Sequence, residues 1–489
     1  MDISQIDNKQ TRVQSESNSA DIHSMTGWKY SASNAYSLVD KLLALRTQIT
    51  QEYAVRDIVV LGMGGSALGT RIYADLYKQE LQQLGVRFRV VDTTEPSSVM
   101  ALLADLDVAR CLIFVSSKSG GTIEPLCLGQ VFFKHVSEKL GSPQAAAAHF
   151  VAITDESTLL SKLAETQIWR AIITSAQNVG GRFSVLTAYG LAPLVLAGIN
   201  PKYLIDAAIK SQLDCNADTP CPARMLADSL YQNMIDGRDK LVIAHDSTTE
   251  SFARWLEQLI AESLGKGGKG LIPLPMPFER ANKLLAKTPP DIQSISLARL
   301  SEKDAGESLV RWMYAIEKLA EYLQLNPYDQ PNVEAVKQAT RLVLAKENLS
   351  EGQVENQSTD DYLKSLLADP RIRSIDKLPE LITPKSFIVL KSWAPMTKEN
   401  IASLENLASR FEEFYQRPVV IAEGPHYLHA SGQLYKGGPN TGVYVLLSQE
   451  TDADLEIPGA NYSLKQLYRA AFGGDTEVML SIGRPLVRL

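Results

Sequence analysis

The sequence predicts an α/β protein, with two doubly wound parallel-sheet units followed by a C-terminal α/β lobe. Three observations carry that expectation. Short apolar runs alternate strictly with segments of helical periodicity between Asp57 and Thr154. The runs, such as Cys111-Leu-Ile-Phe-Val115, are apolar throughout and not every second residue, as strands covered on both faces are. A second alternating unit opens at Lys240-Leu-Val-Ile-Ala-His245, and the polar stretch 346–382 separates it from a last set of elements.

In chain order, residues 1–30 are rich in Ser, Gln, Asn and Asp and read as a polar tail. The first unit covers 31–200. A helix is expected from about Ala35 to Tyr53 because Leu38, Leu42, Leu45 and Ile49 recur at helical spacing. Strands follow at Asp57–Leu61, Val86–Asp92, Cys111–Ser116 and His149–Thr154, with helices to about Leu84, from Ser97 to Leu106 and to about Leu140. The second unit, 201–345, starts with helices near 202–214 and 223–236. Its helix from about Glu250 carries Phe252, Trp255, Leu256, Leu259 and Ile260 as an apolar stripe, which leaves Gln258 and Glu262, four apart, on a different and nominally solvated face. Strands near Leu271 and Ile292 and a helix over 306–323 lead to a further helix, with Asp329 as N-cap and Pro331 in its first turn. After the linker 346–382, the lobe 383–489 reads as strands near 386–391, 418–422, 443–448 and 477–481 with helices near 397–413 and 463–472.

The chain of 489 residues is 45% hydrophobic and 21% charged, ordinary for a globular protein. A net charge of −7 argues against a nucleic-acid or anionic-membrane surface. The four cysteines form no Cys-x-x-Cys pair, which suits a reducing, cytoplasmic setting, and the apolar run Leu191–Gly198 is too short to span a bilayer.

Two loops at adjacent strand ends hold the chemistry. Gly62-Met-Gly-Gly-Ser66 ends the first strand, and Ser117-Lys-Ser-Gly-Gly-Thr122 ends the third. Ser66, Ser117, Ser119 and Thr122 offer short hydroxyls, glycine backbone can approach an anion, and a helix N-terminus follows, so one phosphomonoester would fit. An ordinary capped strand-to-helix turn is the bland reading. Gly62, Gly64 and Ala67 also match the dinucleotide fingerprint, with Asp92 where a ribose-binding acid would sit, so an NAD-dependent dehydrogenase is the rival. Gly180-Gly181 ahead of Arg182 permits a tight turn that aims a guanidinium at the sheet's carboxyl edge. Ser263-Leu-Gly-Lys-Gly-Gly-Lys-Gly270 reads as a flexible basic segment, and His429 lies in a Gly-rich stretch with Gln433 and Lys436.

Taken together, Gly62–Ser66, Ser117–Glu124, Gly180–Ser184, Gln258–Ser263 with Gly265-Lys266, and Asn326–Glu334 leading to Lys337 resemble the glucose-6-phosphate isomerase family, which is built from two sugar-isomerase (SIS) domains. The C-terminal lobe, through Tyr427–Gln433 and Lys436–Asn440, is similar to the isomerase half of bifunctional transaldolase/glucose-6-phosphate isomerase proteins, with no transaldolase barrel expected ahead of it. The resemblance implies reversible interconversion of glucose 6-phosphate and fructose 6-phosphate in glycolysis and gluconeogenesis, by a cytoplasmic homodimer that needs no cofactor or metal. It implies Glu262 as the base that moves a proton between C2 and C1, Arg182 as the cation facing the enediolate, and Lys337 at the ring oxygen and hydroxyls. Ser66, Ser117, Ser119 and Thr122 would hold the phosphate, supported by Gln258 and Gln330 and by the backbone of Gly64 and Gly65. Two departures stand out. Ser119-Gly-Gly replaces the Thr-Phe-Thr of many isomerases, a wording nearer to dual phosphoglucose/phosphomannose isomerases, and no His lies between Glu262 and Gln330. Of His23, His135, His149, His245, His426 and His429, we expect His429 to open the sugar ring. A non-catalytic phosphosugar-binding SIS protein remains the alternative outside enzymes.

Overall fold

The structure, a computed structural model, describes residues 25–175, 178–217, 221–346, 358–449 and 451–489; His23 and most of the polar tail lie outside them. Three parallel sheets form the frame. The first holds β1 (Asp57–Gly62), β2 (Arg87–Val91), β3 (Cys111–Ser116), β4 (Phe150–Thr154) and β5 (Ala171–Thr174) in the order β2-β1-β3-β4-β5. The second holds β6 (Lys240–His245), β7 (Ile272–Pro277) and β8 (Ile292–Leu297) in the order β7-β6-β8. The third holds β9 (Ile372–Ser374), β10 (Phe387–Trp393), β11 (Val419–Glu423), β12 (Gly442–Ser448) and β13 (Leu486–Arg488) in the order β11-β10-β12-β13-β9. In the first two sheets the first strand lies between the second and third, and in the third sheet β10 lies between β11 and β12 with β9 at the edge, so in each the connections from the central strand leave in opposite directions and open a crevice at the strands' carboxyl ends. β1 and β3 run in register, with Gly62 beside Ser116, which brings their two loops side by side.

The expected α/β class is what the chain adopts, and its departures have physical reasons. The helix Glu250–Leu264 is no half-solvated amphipath: Gln258, Glu262 and even Glu257 are buried, because from Trp255 onward every residue of the helix is enclosed. It is the axis of the molecule, packing on the helix Gly65–Leu76, the helix Glu302–Leu323 and the helix Gly432–Gly437. Residues 477–481 are no strand but the last turn of the helix Leu464–Ser481. The helix runs on past 472 through Gly473-Gly474, where the glycines serve close packing: a Cβ on Gly474 would lie 2.7 Å from the Thr340 backbone nitrogen. The third sheet gains β9 and β13 instead. The helix expected around Asp329 begins later, at Val333, and leaves Asp329 and Gln330 in the preceding loop. From the stretch read as a linker, the helix Thr359–Leu367 and β9 join the third lobe. Near the tail, Gly27–Tyr30 makes one 3-10 turn whose Trp28 is buried and stacks on Phe183 with ring centroids 4.9 Å apart. Among the described residues, no helix is long and apolar enough to cross a membrane.

Candidate active site

The site assembles at the carboxyl ends of β1 and β3. After β1 the chain turns at Gly64, whose φ of +52° is a left-handed value that side chains avoid, and a Cβ there would lie 2.5 Å from the His429 carbonyl oxygen. A Cβ on Gly65 would lie 2.0 Å from the Gly181 carbonyl oxygen. Both positions therefore need glycine because two other segments of backbone close on this loop. Ser66, in the first turn of the following helix, is buried. After β3, the Ser117 hydroxyl is buried and has no hydrogen-bond partner among the described residues. The Ser119 hydroxyl accepts from the Gly121 N–H at 3.3 Å, and Thr122 is the N-cap of the helix Ile123–Leu140 without spending its hydroxyl on the cap. A buried donor left over at the mouth of a helix N-terminus is what an anion would satisfy. Lys118, by contrast, is turned toward Asp155 at 2.6 Å.

A cleft beside this loop is lined by Ser119, Gly121, Thr122, Glu124, Lys337 and His429, among others. His429 belongs to the 3-10 turn His426–His429 of the third lobe, and its Nε2 lies 2.8 Å from Glu124 Oε1. Burial alone would raise the Glu124 carboxyl, but the His429 imidazole, a backbone N–H and Lys337 together hold the group below the ordinary range. Lys337 lies 3.4 Å from Glu334, one turn earlier on its helix, and remains partly exposed.

The other expected residues meet in the adjoining interior. Arg182, in the turn Gly181–Phe183, is buried, and its Nε lies 3.0 Å from Glu262 Oε2. Its Nη1 donates to the Pro327 carbonyl at 2.7 Å and its Nη2 to that of Asp329 at 3.4 Å. Gln330 Nε2 donates to Glu262 Oε2 at 3.2 Å, and Gln258 Nε2 donates to the His429 carbonyl at 3.0 Å. Thus Gln258 ties the buried pair to the cleft. Burial pushes the Glu262 carboxyl above its ordinary pKa despite Arg182, Gln258, His429 and Lys266, each of which pulls it down. A carboxylate held in that state is a stronger base than a solvated one, and it stands beside a fixed cation.

Several residues had no role in the sequence reading. Glu124 sat unmarked in the Thr-Ile-Glu124 motif, although an acid in a first helical turn is a recognisable signal. The basic segment after Glu262 is not flexible at Lys266, which is buried and bonded to Asp329 and to the Asn326 carbonyl. Burial, and then Arg182, push the Lys266 ammonium down to about 8. Asp92 gives the dehydrogenase reading no support: its carboxylate accepts from Arg71 Nε at 3.0 Å and from His426 Nδ1 at 2.8 Å. The loop that would cradle a pyrophosphate is itself covered by His429 and Gly181. His245 stays outside the site, its Nδ1 bonded to the Asp246 carbonyl at 3.1 Å, and His149 is bonded to the Cys111 carbonyl at 2.8 Å.

The phosphoglucose isomerase family model matches residues 24–270, just over half of the 489-residue chain. The chain belongs to that family. It is 34% identical over 218 residues to the glucose-6-phosphate isomerase of Trichormus variabilis, a match covering 43% of this chain and 40% of that protein. It is 31% identical over 222 residues to that of Methanocaldococcus jannaschii (45% and 53%) and 29% identical over 357 residues to that of a Synechococcus strain (59% and 66%). The chain thus spans about half the length, or less, of most curated relatives it matches. Among solved structures it resembles a hypothetical protein of Thermus thermophilus, TT0462, with a TM-score of 0.59 at 24% identity over 70% of this chain and 94% of that one. A Chlamydia trachomatis glucose-6-phosphate isomerase follows with a TM-score of 0.55 at 16% identity, covering 66% and 75%. Within the phosphoglucose isomerase family, then, the third lobe lies beyond the matched region, and it is the third lobe that supplies His429.

Proposed function

We propose that this protein is a glucose-6-phosphate isomerase that interconverts glucose 6-phosphate and fructose 6-phosphate through a cis-enediolate. The observation that carries the proposal is the buried Arg182–Glu262 pair, 3.0 Å apart, with Glu262 on the helix whose Gln258 bonds the backbone of His429, a residue lining a cleft with a hydroxyl-rich loop and a lysine. A protein that only bound phosphosugars would need the loop and the lysine but no desolvated base. Ser66, Ser117, Ser119 and Thr122 hold the phosphate, with Gly64 and Gly65 allowing the backbone to come close. His429, oriented by Glu124, passes a proton between the ring oxygen and the C1 hydroxyl as the ring opens, and Lys337 binds the ring oxygen and hydroxyls.

Glu262 then takes the proton from C2. The electron pair forms the C1–C2 double bond, and negative charge moves to O1, where Arg182 faces it. Glu262 returns the same proton to C1 while the O2 proton passes to O1, so aldose becomes ketose with no change in composition. Gln258 and Gln330 hold Glu262 and the substrate in line. The proposed setting is a cytoplasmic homodimer; the four free cysteines accord with a reducing compartment. Ser119-Gly-Gly, with no bulky side chain at positions 120 and 121, favours a second substrate, mannose 6-phosphate, over strict glucose specificity.

Incubating the purified chain with fructose 6-phosphate, without added nucleotide or metal, and measuring glucose 6-phosphate after the protein has been removed tests the reading. Formation of glucose 6-phosphate is expected. Saturable phosphosugar binding without turnover would return the chain to the binding proteins, and tight NAD binding by calorimetry would revive the dehydrogenase.

A further inference from the structure

The turn His426–His429 crosses from the third lobe to the first unit, and its geometry gives each end a carboxylate. A 3-10 helix has three residues per turn, so residues i and i+3 eclipse. His426 and His429 therefore face the same way. His426 Nδ1 donates to Asp92 Oδ2 at 2.8 Å, just beyond β2, while His429 Nε2 meets Glu124 at 2.8 Å, in the first turn of the helix that follows β3. Asp92 is itself fixed by Arg71, whose Nε donates to it at 3.0 Å, and it is 3% exposed. Between the two imidazoles, Tyr427 points back into its own lobe, donating to Asp475 at 2.6 Å and accepting from Trp393 Nε1 at 3.2 Å. Asp475 is fully buried and also holds Lys391 and Lys436. The turn is thus anchored behind by one carboxylate and docked in front by two. Burial would lower the His426 pKa, but Asp92 and then Glu423 raise it above the ordinary value against the opposing Arg71.

We propose that His426 is a positioning residue for the isomerisation: its bond to Asp92 fixes the turn whose fourth residue, His429, addresses the sugar ring. The inference rests on the isomerase reading above and adds to it a residue that never touches substrate. Neither the Arg182–Glu262 pair nor the phosphate-loop hydroxyls bond to His426, and the link from Gln258 to this turn, at 3.0 Å, runs through the His429 backbone carbonyl and not through its imidazole. What changes is the placement of His429 against Glu124. Ring opening should suffer while enolisation does not.

The test compares two substrates. Glucose 6-phosphate is cyclic and must be opened, whereas a four-carbon aldose phosphate, with its C4 oxygen esterified, has no hydroxyl left to close a ring. His426→Gln keeps a hydrogen-bonding group without the imidazole geometry. It should lower kcat for glucose 6-phosphate by about 10-fold to 100-fold, the loss expected when a catalytic group shifts by about 1 Å, with isomerisation of the four-carbon sugar within about twofold of wild type. Asp92→Asn, closest in shape to the native residue, should show the same split, and the double variant should be no worse than the single ones, as two halves of one contact are. Equal losses on both substrates, or none on glucose 6-phosphate, would overturn the proposal and leave His426 a structural contact. If the wild-type chain does not isomerise glucose 6-phosphate, the isomerase reading itself fails and the positioning role with it; a wild type that turns over and variants without the split sink the positioning role alone.

Discussion

Replacing Glu262 by Gln removes one proton acceptor while changing almost nothing else in volume. In the native site Glu262 Oε2 accepts from Arg182 Nε at 3.0 Å and from Gln330 Nε2 at 3.2 Å, and the carboxyl is 3% exposed. A Gln carbonyl oxygen can still accept from Arg182, but its amide has no basic lone pair for a carbon-bound proton. Positioned general bases contribute about 10²–10⁴-fold, so kcat should fall by at least about 100-fold, or about 2.7 kcal/mol of lost transition-state stabilisation. KM should change little, since the phosphate loop holds the substrate. The substitution also leaves the Arg182 guanidinium buried without its anion. Removing one partner of a buried pair costs about 3–5 kcal/mol, part of which the two backbone carbonyls at Pro327 and Asp329 offset here. Steady-state kinetics with fructose 6-phosphate and urea unfolding of the same preparation separate the two effects. A folded Glu262→Gln protein with kcat within tenfold of wild type would refute the assignment of the base.

Three further outcomes follow from the same geometry. His429→Ala should slow isomerisation of cyclic glucose 6-phosphate far more than proton exchange of an open-chain substrate, whereas His245→Ala should affect both little; wild-type turnover in His429→Ala would move ring opening to Lys337 and a bound water. Because Glu262 and His429 come from one chain, mixing Glu262→Gln with His429→Ala protein should restore nothing, while a site shared across a dimer would recover about a quarter of wild-type activity. Burial and Arg182 push Lys266 down to about 8 in the fold, against about 10.4 in an unfolded chain, so between these values the unfolded state binds more protons and its contribution to stability rises with pH. Activity should run the other way, falling above about pH 8 as the Lys266–Asp329 contact that holds the Gln330 loop loses its charge; Lys266→Met should abolish that alkaline limb, and an unchanged pH–rate profile would show that the loop does not need it.

The parts of the site written in local sequence were legible. Strand-then-hydroxyl-loop-then-helix is a pattern of consecutive residues, so the 117–122 loop and the Gly62–Ser66 turn could be placed at neighbouring strand ends before any coordinates. Arg182 could be aimed at the sheet's edge for the same reason. What could not be read was enclosure. Glu262 sits on the polar side of a regular amphipathic pattern, and only the arrival of the helix Gly432–Gly437 and the loop 326–330 turns that side into an interior. Likewise Gly473-Gly474 carries the same letters whether it ends a helix or lets another helix approach; the backbone of Thr340, more than a hundred residues earlier, decides. Asp92 illustrates the opposite error, a residue in the right place for one function whose partners Arg71 and His426 commit it to another.

The pairing of Arg182 with Glu262 bears on how the proposed reaction could proceed without reorganising charge in a buried site. Before proton abstraction the guanidinium neutralises the carboxylate, and burial raises the base while Arg182 restrains it. When Glu262 takes the C2 proton it becomes neutral, and the electrostatic hold on Arg182 weakens at the moment a negative charge develops on the substrate oxygen. The guanidinium then faces one anion before and after the step. The remaining two bonds of Arg182 go to the uncharged carbonyls of Pro327 and Asp329, which do not change during the reaction and keep the plane of the group fixed. In the proposed reaction such a site would stabilise the enediolate with a dipole and charge arrangement already in place, which is where most of an enzyme's advantage over water arises. It also explains why the loop 326–330 matters beyond Gln330. Lys266 pins that loop through Asp329 and the Asn326 carbonyl, so the orientation of Arg182, the hydrogen bond on Glu262 and the charge on Lys266 form one coupled unit.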